Sequence, residues 1–174
     1  GASLYFQKHH AAEALAGRRL RALLEAPDPA TGPGALGNVL DTVLERLPLR
    51  IGSAPGAPAM EFDAGQKAAL ALALRKRFTV ISGGPGTGKT SLAANFLRAW
   101  SRLRGGSGYT PRIRLAAPTG RAAQRLSESI RRSLATLGPE GASGPDAGVR
   151  ELACGTLHAL LRYHPGTGGF FHGA

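Results

Sequence analysis

Residues 78–90 read Phe78-Thr79-Val80-Ile81-Ser82-Gly83-Gly84-Pro85-Gly86-Thr87-Gly88-Lys89-Thr90. The β-branched run at its start predicts a buried strand over 78–82. It feeds directly into the pattern G-x-x-x-x-G-K-[ST], filled by Gly83, Gly88, Lys89 and Thr90. Glycines at 83, 84, 86 and 88 let the backbone turn tightly with its N–H groups facing inward, which makes a nest for an anion. A helix starting near Lys89 aims the positive end of its dipole into that nest. Lys89 is then placed to reach β- and γ-phosphate oxygens, and the Thr90 hydroxyl to ligate Mg²⁺. The pattern therefore implies ATP and Mg²⁺. Its candidate nucleotide-binding residues are Gly83, Gly84, Pro85, Gly86, Thr87, Gly88, Lys89, Thr90 and Ser91, with Lys89 and Thr90 carrying the chemistry.

Outward from this loop, helix and strand signals alternate. Asp63 is a candidate cap for a helix running to about Lys76. Beyond the loop, Leu92, Phe96, Trp100 and Leu103 recur at helical spacing on a helix from Lys89 to about Arg104. Ile113–Ala117 reads as a second strand. Thr119–Leu137 reads as a long helix with the stripe Ala122, Ala123, Leu126, Ile130, Leu134 and Leu137. Residues 138–148 read as a Gly-rich loop. The order β-α-β-α predicts an α/β fold of the P-loop NTPase (RecA-like) class, a truncated parallel sheet joined by right-handed crossovers. Two helices are expected in the first fifty residues. The first carries Ala12, Ala16, Leu20 and Leu23, and the second carries Val39, Leu40, Val43, Leu44 and Leu47 and stops at Pro48. The Pro/Gly-rich stretch 27–37 should separate them. Residues 51–58 read as a linker, so we divide the chain into a helical docking segment over 1–58 and a motor-type domain over 59–174.

The 174 residues carry 22 Lys and Arg against 11 Asp and Glu, a net charge of +11. Eighteen of the basic residues are arginine, in a chain loaded with Ala, Gly and Pro, so genomic base composition accounts for part of the excess. Its distribution is more informative than its total. Residues 64–127 hold 12 basic residues and no acidic one, a positive field around the phosphate loop that suits a polyanion. The single cysteine, Cys154, excludes an internal disulfide and suits a reducing, cytoplasmic setting. No stretch is long and apolar enough to cross a bilayer, and no signal-peptide pattern opens the chain. Leu4–Gln7 is expected to be native sequence rather than a tag remnant, because Lys8 follows where a scar would carry Gly or Ser.

Two further sites have two readings each. Gln66 lies 23 residues before Lys89. Its amide suits the N6 and N7 edge of adenine, but Asp63-x-x-Gln66 also has the spacing of a capping box. Leu115–Ala123 ends a strand at Pro118 and opens a helix through Thr119 and Gly120. Free N–H groups, the Thr119 hydroxyl and the Arg121 guanidinium there suit a nucleic-acid phosphate. An ordinary helix start capped by Thr119 has the same sequence.

Taken together, Val80–Thr90 and Ala117-Pro118-Thr119-Gly120-Arg121-Ala122-Ala123 resemble the superfamily-one DNA helicases. Within these the chain resembles the RecD family, the alpha subunits of bacterial exodeoxyribonuclease V. Thr156-Leu157-His158-Ala159-Leu160-Leu161 is similar to the family's next DNA-contacting motif. Pro165 and Phe171–Gly173 resemble the approach to its Walker B strand, and Tyr5-Phe6 the start of the subunit. The resemblance implies that Gln66 reads adenine and that Thr119, Arg121, Thr156 and His158 face single-stranded DNA. It further implies ATP-driven 5′-3′ translocation in double-strand-break repair, with RecB- and RecC-like partner subunits. The alternatives are a stand-alone RecD-like helicase and a non-catalytic DNA- or partner-binding module with a structural P-loop. One departure bears on mechanism. After Lys89 the only acidic residues are Glu128, Glu140, Asp146 and Glu151, and none ends an apolar strand. With no Walker B pair, the chain on its own is expected to bind ATP without turning it over efficiently.

Overall fold

The computed structural model describes residues 7–28, 31–52, 54, 56–105, 112–138, 144–167 and 169–170. Tyr5-Phe6, Glu140 and Phe171–Gly173 lie outside these. The molecule is built around one helix, α4 (Lys89–Gly105), which starts in the phosphate loop and is packed on two sides. On one side lie α2 (Pro33–Asp41), a π-helical turn (Thr42–Arg46) and α3 (Ala64–Arg75). Val43, Phe62, Leu70, Leu74, Leu92 and Ala99 are buried together there, with Leu36, Val39, Leu40 and Leu44 against them. On the other side α5 (Gly120–Ala135) and α6 (Pro145–Arg150) bury Leu97, Ile130, Leu134 and Val149 as a second cluster. Strands β1 (Leu115–Ala117) and β2 (Cys154–Thr156) pair in parallel, Ala117 opposite Thr156, and α5 lies against both. The one-turn helix α7 (Leu157–Leu160) and a small antiparallel ladder, β3 (Tyr163–His164) with β4 (Gly169–Phe170), follow. The fold is α/β with a small parallel sheet, the P-loop class read from the sequence.

The expected strand over 78–82 does not form. This segment pairs with no strand among the described residues. Phe78, Val80 and Ile81 are 37%, 74% and 40% exposed, so the run is not buried either. Composition sets a segment's preference for extended backbone, but a strand also needs a partner on at least one edge. An apolar cavity of about 680 Å³ opens beside it, walled by Thr79, Ile81, Ala93, Phe96, Trp100 and Leu23.

The first fifty residues divide in two. The helix α1 (Gln7–Glu25) forms as expected, yet Leu15, Leu20, Leu23 and Leu24 remain 40–68% exposed. By contrast α2 and the π-turn share the core of α3 and α4. Helix α2 starts at Pro33, inside the stretch read as a break, because proline at the first helical position gives up no needed N–H. The ends of the 51–58 linker are held together by the Arg50–Ala59 bridge, and Arg50 Nη1 donates to Ala57 O at 2.8 Å.

The Gly-rich stretch 138–148 also holds more order than its composition predicts, since α6 begins at Pro145. There Asp146 is 1% exposed and meets Arg98, which is fully buried. Arg98 Nε donates to Asp146 Oδ2 at 3.3 Å, and Arg102 contributes two further bonds at 2.5 and 2.9 Å. Arg98 also donates to Val43 O and Leu47 O at the end of the π-turn, at 3.1 and 2.6 Å, and to Asn95 Oδ1 at 2.7 Å. One guanidinium thus ties two separate segments, the π-turn and α6, to α4. Burial pushes the Asp146 carboxyl up, but the hydrogen bonds and charges of Arg102 and Arg98 outweigh it and hold it below the usual carboxylate range.

Candidate nucleotide site and strand edge

The phosphate loop closes on itself through named contacts. Gly86 and Gly88 have φ of +76° and +72°, a region that side-chain-bearing residues rarely occupy. A Cβ on Gly83 would lie 2.7 Å from Thr87 Oγ1, so the loop leaves no room for a side chain at 83. Thr87 Oγ1 donates to Gly84 O at 2.9 Å. Lys89 Nζ donates to Gly83 O at 2.7 Å, to Gly84 O, and to Thr87 Oγ1 at 3.3 Å. Lys89 and Thr90 form the first turn of α4, with Ser91 next and Leu92 N bonded back to Gly88 O at 2.9 Å. Pro85 sits at the loop's exposed turn. The donor set and the glycine cradle fit a triphosphate. Residues Gly83–Ser91 are all exposed or half-buried, open to a ligand from solvent.

The capping reading of Gln66 is observed. The capping box is complete: Gln66 N donates to Asp63 Oδ1 at 2.8 Å, and Asp63 N to Gln66 Oε1 at 3.0 Å. The same side chain reaches the phosphate loop, where Nε2 donates to Thr87 O at 3.1 Å. Sequence spacing offered cap or nucleotide site; the structure joins the cap to the loop.

The second group lies at the carboxyl edge of the parallel pair. Thr119 follows β1 and caps α5, its Oγ1 accepting from Ala122 N at 3.2 Å. Thr156 ends β2 and caps α7, its Oγ1 accepting from Ala159 N at 3.1 Å. Because Ala117 pairs with Thr156, the two caps are neighbours at one edge. Arg121 is exposed in the first turn of α5, and the exposed His158 ring stands edge-on to Tyr163 at 5.3 Å. The Thr119 cap read from the sequence is present, with Arg121 exposed two residues on. Among the described residues the phosphate loop is linked to this edge through the packing of α4 on α5. Among the described residues no cluster of three or more His, Cys, Asp or Glu stands ready for a metal.

What sequence reading missed is the Arg98–Asp146–Arg102 cluster. Asn95, Arg98 and Arg102 fall on a helical stripe that polarity alone assigns to solvent. The only available signal was that α4 is flanked on both sides, which periodicity in one helix does not reveal.

The family model described as "AAA domain" matches residues 66–173. The chain belongs to that AAA-domain family. It is 43% identical over 102 residues to the RecBCD enzyme subunit RecD of Mycobacterium tuberculosis (strain H37Rv), covering 58% of this chain and 17% of that protein. It is 38% identical over 141 residues to the RecD subunit of Mycolicibacterium smegmatis, covering 76% of this chain and 24% of the relative. With the Haemophilus influenzae RecD subunit it shares 45% over 69 residues, 40% of the chain and 10% of the relative. The chain spans a quarter or less of the length of these curated relatives. The RecD-like character read from the motifs is borne out, and with it a helicase-type, ATP-binding P-loop domain.

Proposed function

We propose that this chain is the nucleotide-binding amino-terminal part of a helicase subunit of a RecBCD-type exodeoxyribonuclease V. That subunit works by ATP-driven 5′-3′ translocation on single-stranded DNA during double-strand-break repair. The observation that carries the reading is the loop geometry, in which Lys89 Nζ, Gly86, Gly88 and the α4 N-terminus converge on one anion cradle. Residues 59–174 are the motor part. Residues 1–58 dock it on RecB- and RecC-like subunits, with α1 offering its exposed leucines. The absence of any membrane-length apolar helix among the described residues, together with one cysteine, accords with a cytoplasmic setting.

In this reading Lys89 exchanges the carbonyls of Gly83 and Gly84 for phosphate oxygens, so the loop is held in shape until nucleotide arrives. Thr90 would hold Mg²⁺, which neutralises charge developing on the β- and γ-phosphoryl oxygens. The Gln66 amide has a second hydrogen and a second lone pair beyond those used on Thr87 and Asp63, enough to read adenine without releasing the loop. Thr119, Arg121, Thr156 and His158 meet the DNA strand at the sheet edge.

Titration with a fluorescent ATP analogue tests the nucleotide site. A charge-assisted hydrogen bond is typically worth about 1.5–3 kcal/mol, so Lys89→Ala should weaken binding about tenfold or more. Equal affinities for both proteins would overturn the assignment.

A further inference from the structure

Arg121, Arg125 and Arg132 occur at i, i+4 and i+11 of α5, which places them within about 40° of one another around the helix. All three are exposed, and none makes an ion pair or hydrogen bond with any described residue. Some other exposed cations are engaged, as in Arg46–Asp41, Lys67–Glu45 and Lys76–Asp28, while Arg18 and Arg21 of α1 are as open as this row. The one acid on this face is Glu128, four residues before Arg132 and so well placed to pair with it. Its Oε1 instead accepts from Gln124 Nε2 at 2.8 Å. The opposite face of α5 is fixed by buried Ala123, Ile130 and Leu134, which holds the row in a defined direction.

That direction begins at the sheet edge. Arg121 stands two residues after Thr119, and the row leads away from there over the outer surface. We propose that it is a phosphate rail, which carries single-stranded DNA onward from the Thr119–Arg121 edge along the solvent face of α5. The inference rests on the single-stranded DNA reading of that edge. Arginine suits the role because its planar fork binds phosphate oxygens in pairs and stays charged at any working pH. At about 1.5 Å of rise per residue the row spans roughly 16 Å, the length of about five nucleotides of stacked strand at about 3.4 Å each. Glu128 is the one acidic side chain along the row, and residues 64–127 leading up to it hold none.

The test is fluorescence anisotropy of the full chain with labelled oligothymidylate of about thirty nucleotides, over a series of salt concentrations. Alanine is the best helix former, so Arg125→Ala/Arg132→Ala keeps α5 intact, which circular dichroism verifies. Removing two phosphate contacts from a single strand should flatten the salt slope by about 1.4 and lower affinity several-fold at low salt. The charge-matched control is Arg18→Ala/Arg21→Ala on the exposed α1, which should change both far less. If the control lowers affinity as much as the α5 pair, binding is diffuse attraction and the rail is wrong. If Arg121→Ala weakens binding while the Arg125/Arg132 pair leaves it untouched, the strand leaves at the edge: the rail fails and the DNA reading survives. If all three variants bind like wild type, the DNA reading fails with it. Competition by polyglutamate that vanishes in the α5 pair, with oligothymidylate binding unchanged, would assign the row to an acidic protein and overturn the proposal.

Discussion

Gln66 Nε2 and the Thr87 carbonyl lie 3.1 Å apart, so the N-terminus of α3 is hydrogen-bonded to the phosphate loop. The same amide closes the capping box with Asp63 through its oxygen. Cap and loop are therefore one unit. Gln66→Glu keeps the acceptor for Asp63 N and loses the donor to Thr87. It should melt close to wild type while binding ATP more weakly and preferring it less over GTP. Gln66→Ala loses both bonds and should in addition cost up to about 1 kcal/mol at the cap. Thermal melts with ATP and GTP titrations on both variants separate these effects. A Gln66→Glu protein with unaltered nucleotide affinity and preference would leave Gln66 as a cap alone.

Two loop glycines should differ in tolerance. Gly86 and Gly88 both have positive φ, which costs an alanine about 1–2 kcal/mol. Around Gly86 a Cβ meets nothing within 4 Å, whereas at Gly88 it would lie 3.1 Å from Gln66 Nε2. Gly88→Ala should therefore disturb the loop beyond its backbone strain and depress ATP binding more than Gly86→Ala. Nucleotide titrations of the pair check the order; the reverse order would mean that Gln66 moves aside freely.

Asp146 makes stability depend on acid. Its carboxyl titrates below the usual range because the bonds and charges of Arg102 and Arg98 outweigh the cost of burial. A group depressed in the folded state contributes stability above its unfolded pKa of about 3.9, and loses it as pH falls through the folded value. The melting temperature should thus fall on acidification below about pH 4, and less so in Asp146→Asn. At neutral pH Asp146→Ala leaves buried guanidinium charge uncompensated, and should destabilise by about 3–5 kcal/mol. Chemical denaturation at pH 7 measures this, and a loss under 1 kcal/mol would mean that water reaches the arginines.

What could be read from the chain was mostly local. The Asp63 cap, the loop glycines, the Lys89 helix start and the Thr119 cap each depend on residues within one turn, and each lies where its sequence placed it. The failures are non-local. Residues 78–82 have strand composition, but a strand is a relation to a neighbour that composition does not encode. Arg98 and Asp146 are 48 residues apart, and Asp146 sits in a Gly-rich stretch with no periodicity to announce burial. Gln66 offered two readings because the spacing that makes a capping box also places the amide beside the loop.

Hydrolysis by this chain alone should be near background. Asp146 is committed to two arginines and Glu128 to Gln124, so neither is free to hold Mg²⁺ or orient water. Phosphate release that DNA stimulates and Lys89→Ala abolishes would show that another group supplies the function.

The last expectation concerns the first fifty residues, which composition alone treats as one docking element. Val43 and Leu49 are 0% and 1% exposed, and Arg98 holds the carbonyls of Val43 and Leu47 from inside the core. Opening α2 and the π-turn therefore strips the Arg98 guanidinium of two acceptors and uncovers Leu70 and Leu74. Among the described residues helix α1 makes no such bond into the core, and Leu23 only walls the open cavity beside Phe96 and Trp100. None of its described side chains is buried, and its flanking contacts are the surface bonds Lys76–Asp28 and Arg77 to Pro27 O. Helices in proteins owe most of their stability to packing of an apolar face, and the leucines of α1 are largely exposed. Hydrogen exchange should accordingly find amides 12–25 exchanging within seconds and amides 38–47 protected almost as well as Leu92–Arg102 of α4. A partner that docks on the α1 leucines should slow only the first group. Equal protection of both groups in the free chain would show that α1 is held by contacts beyond those of its described side chains.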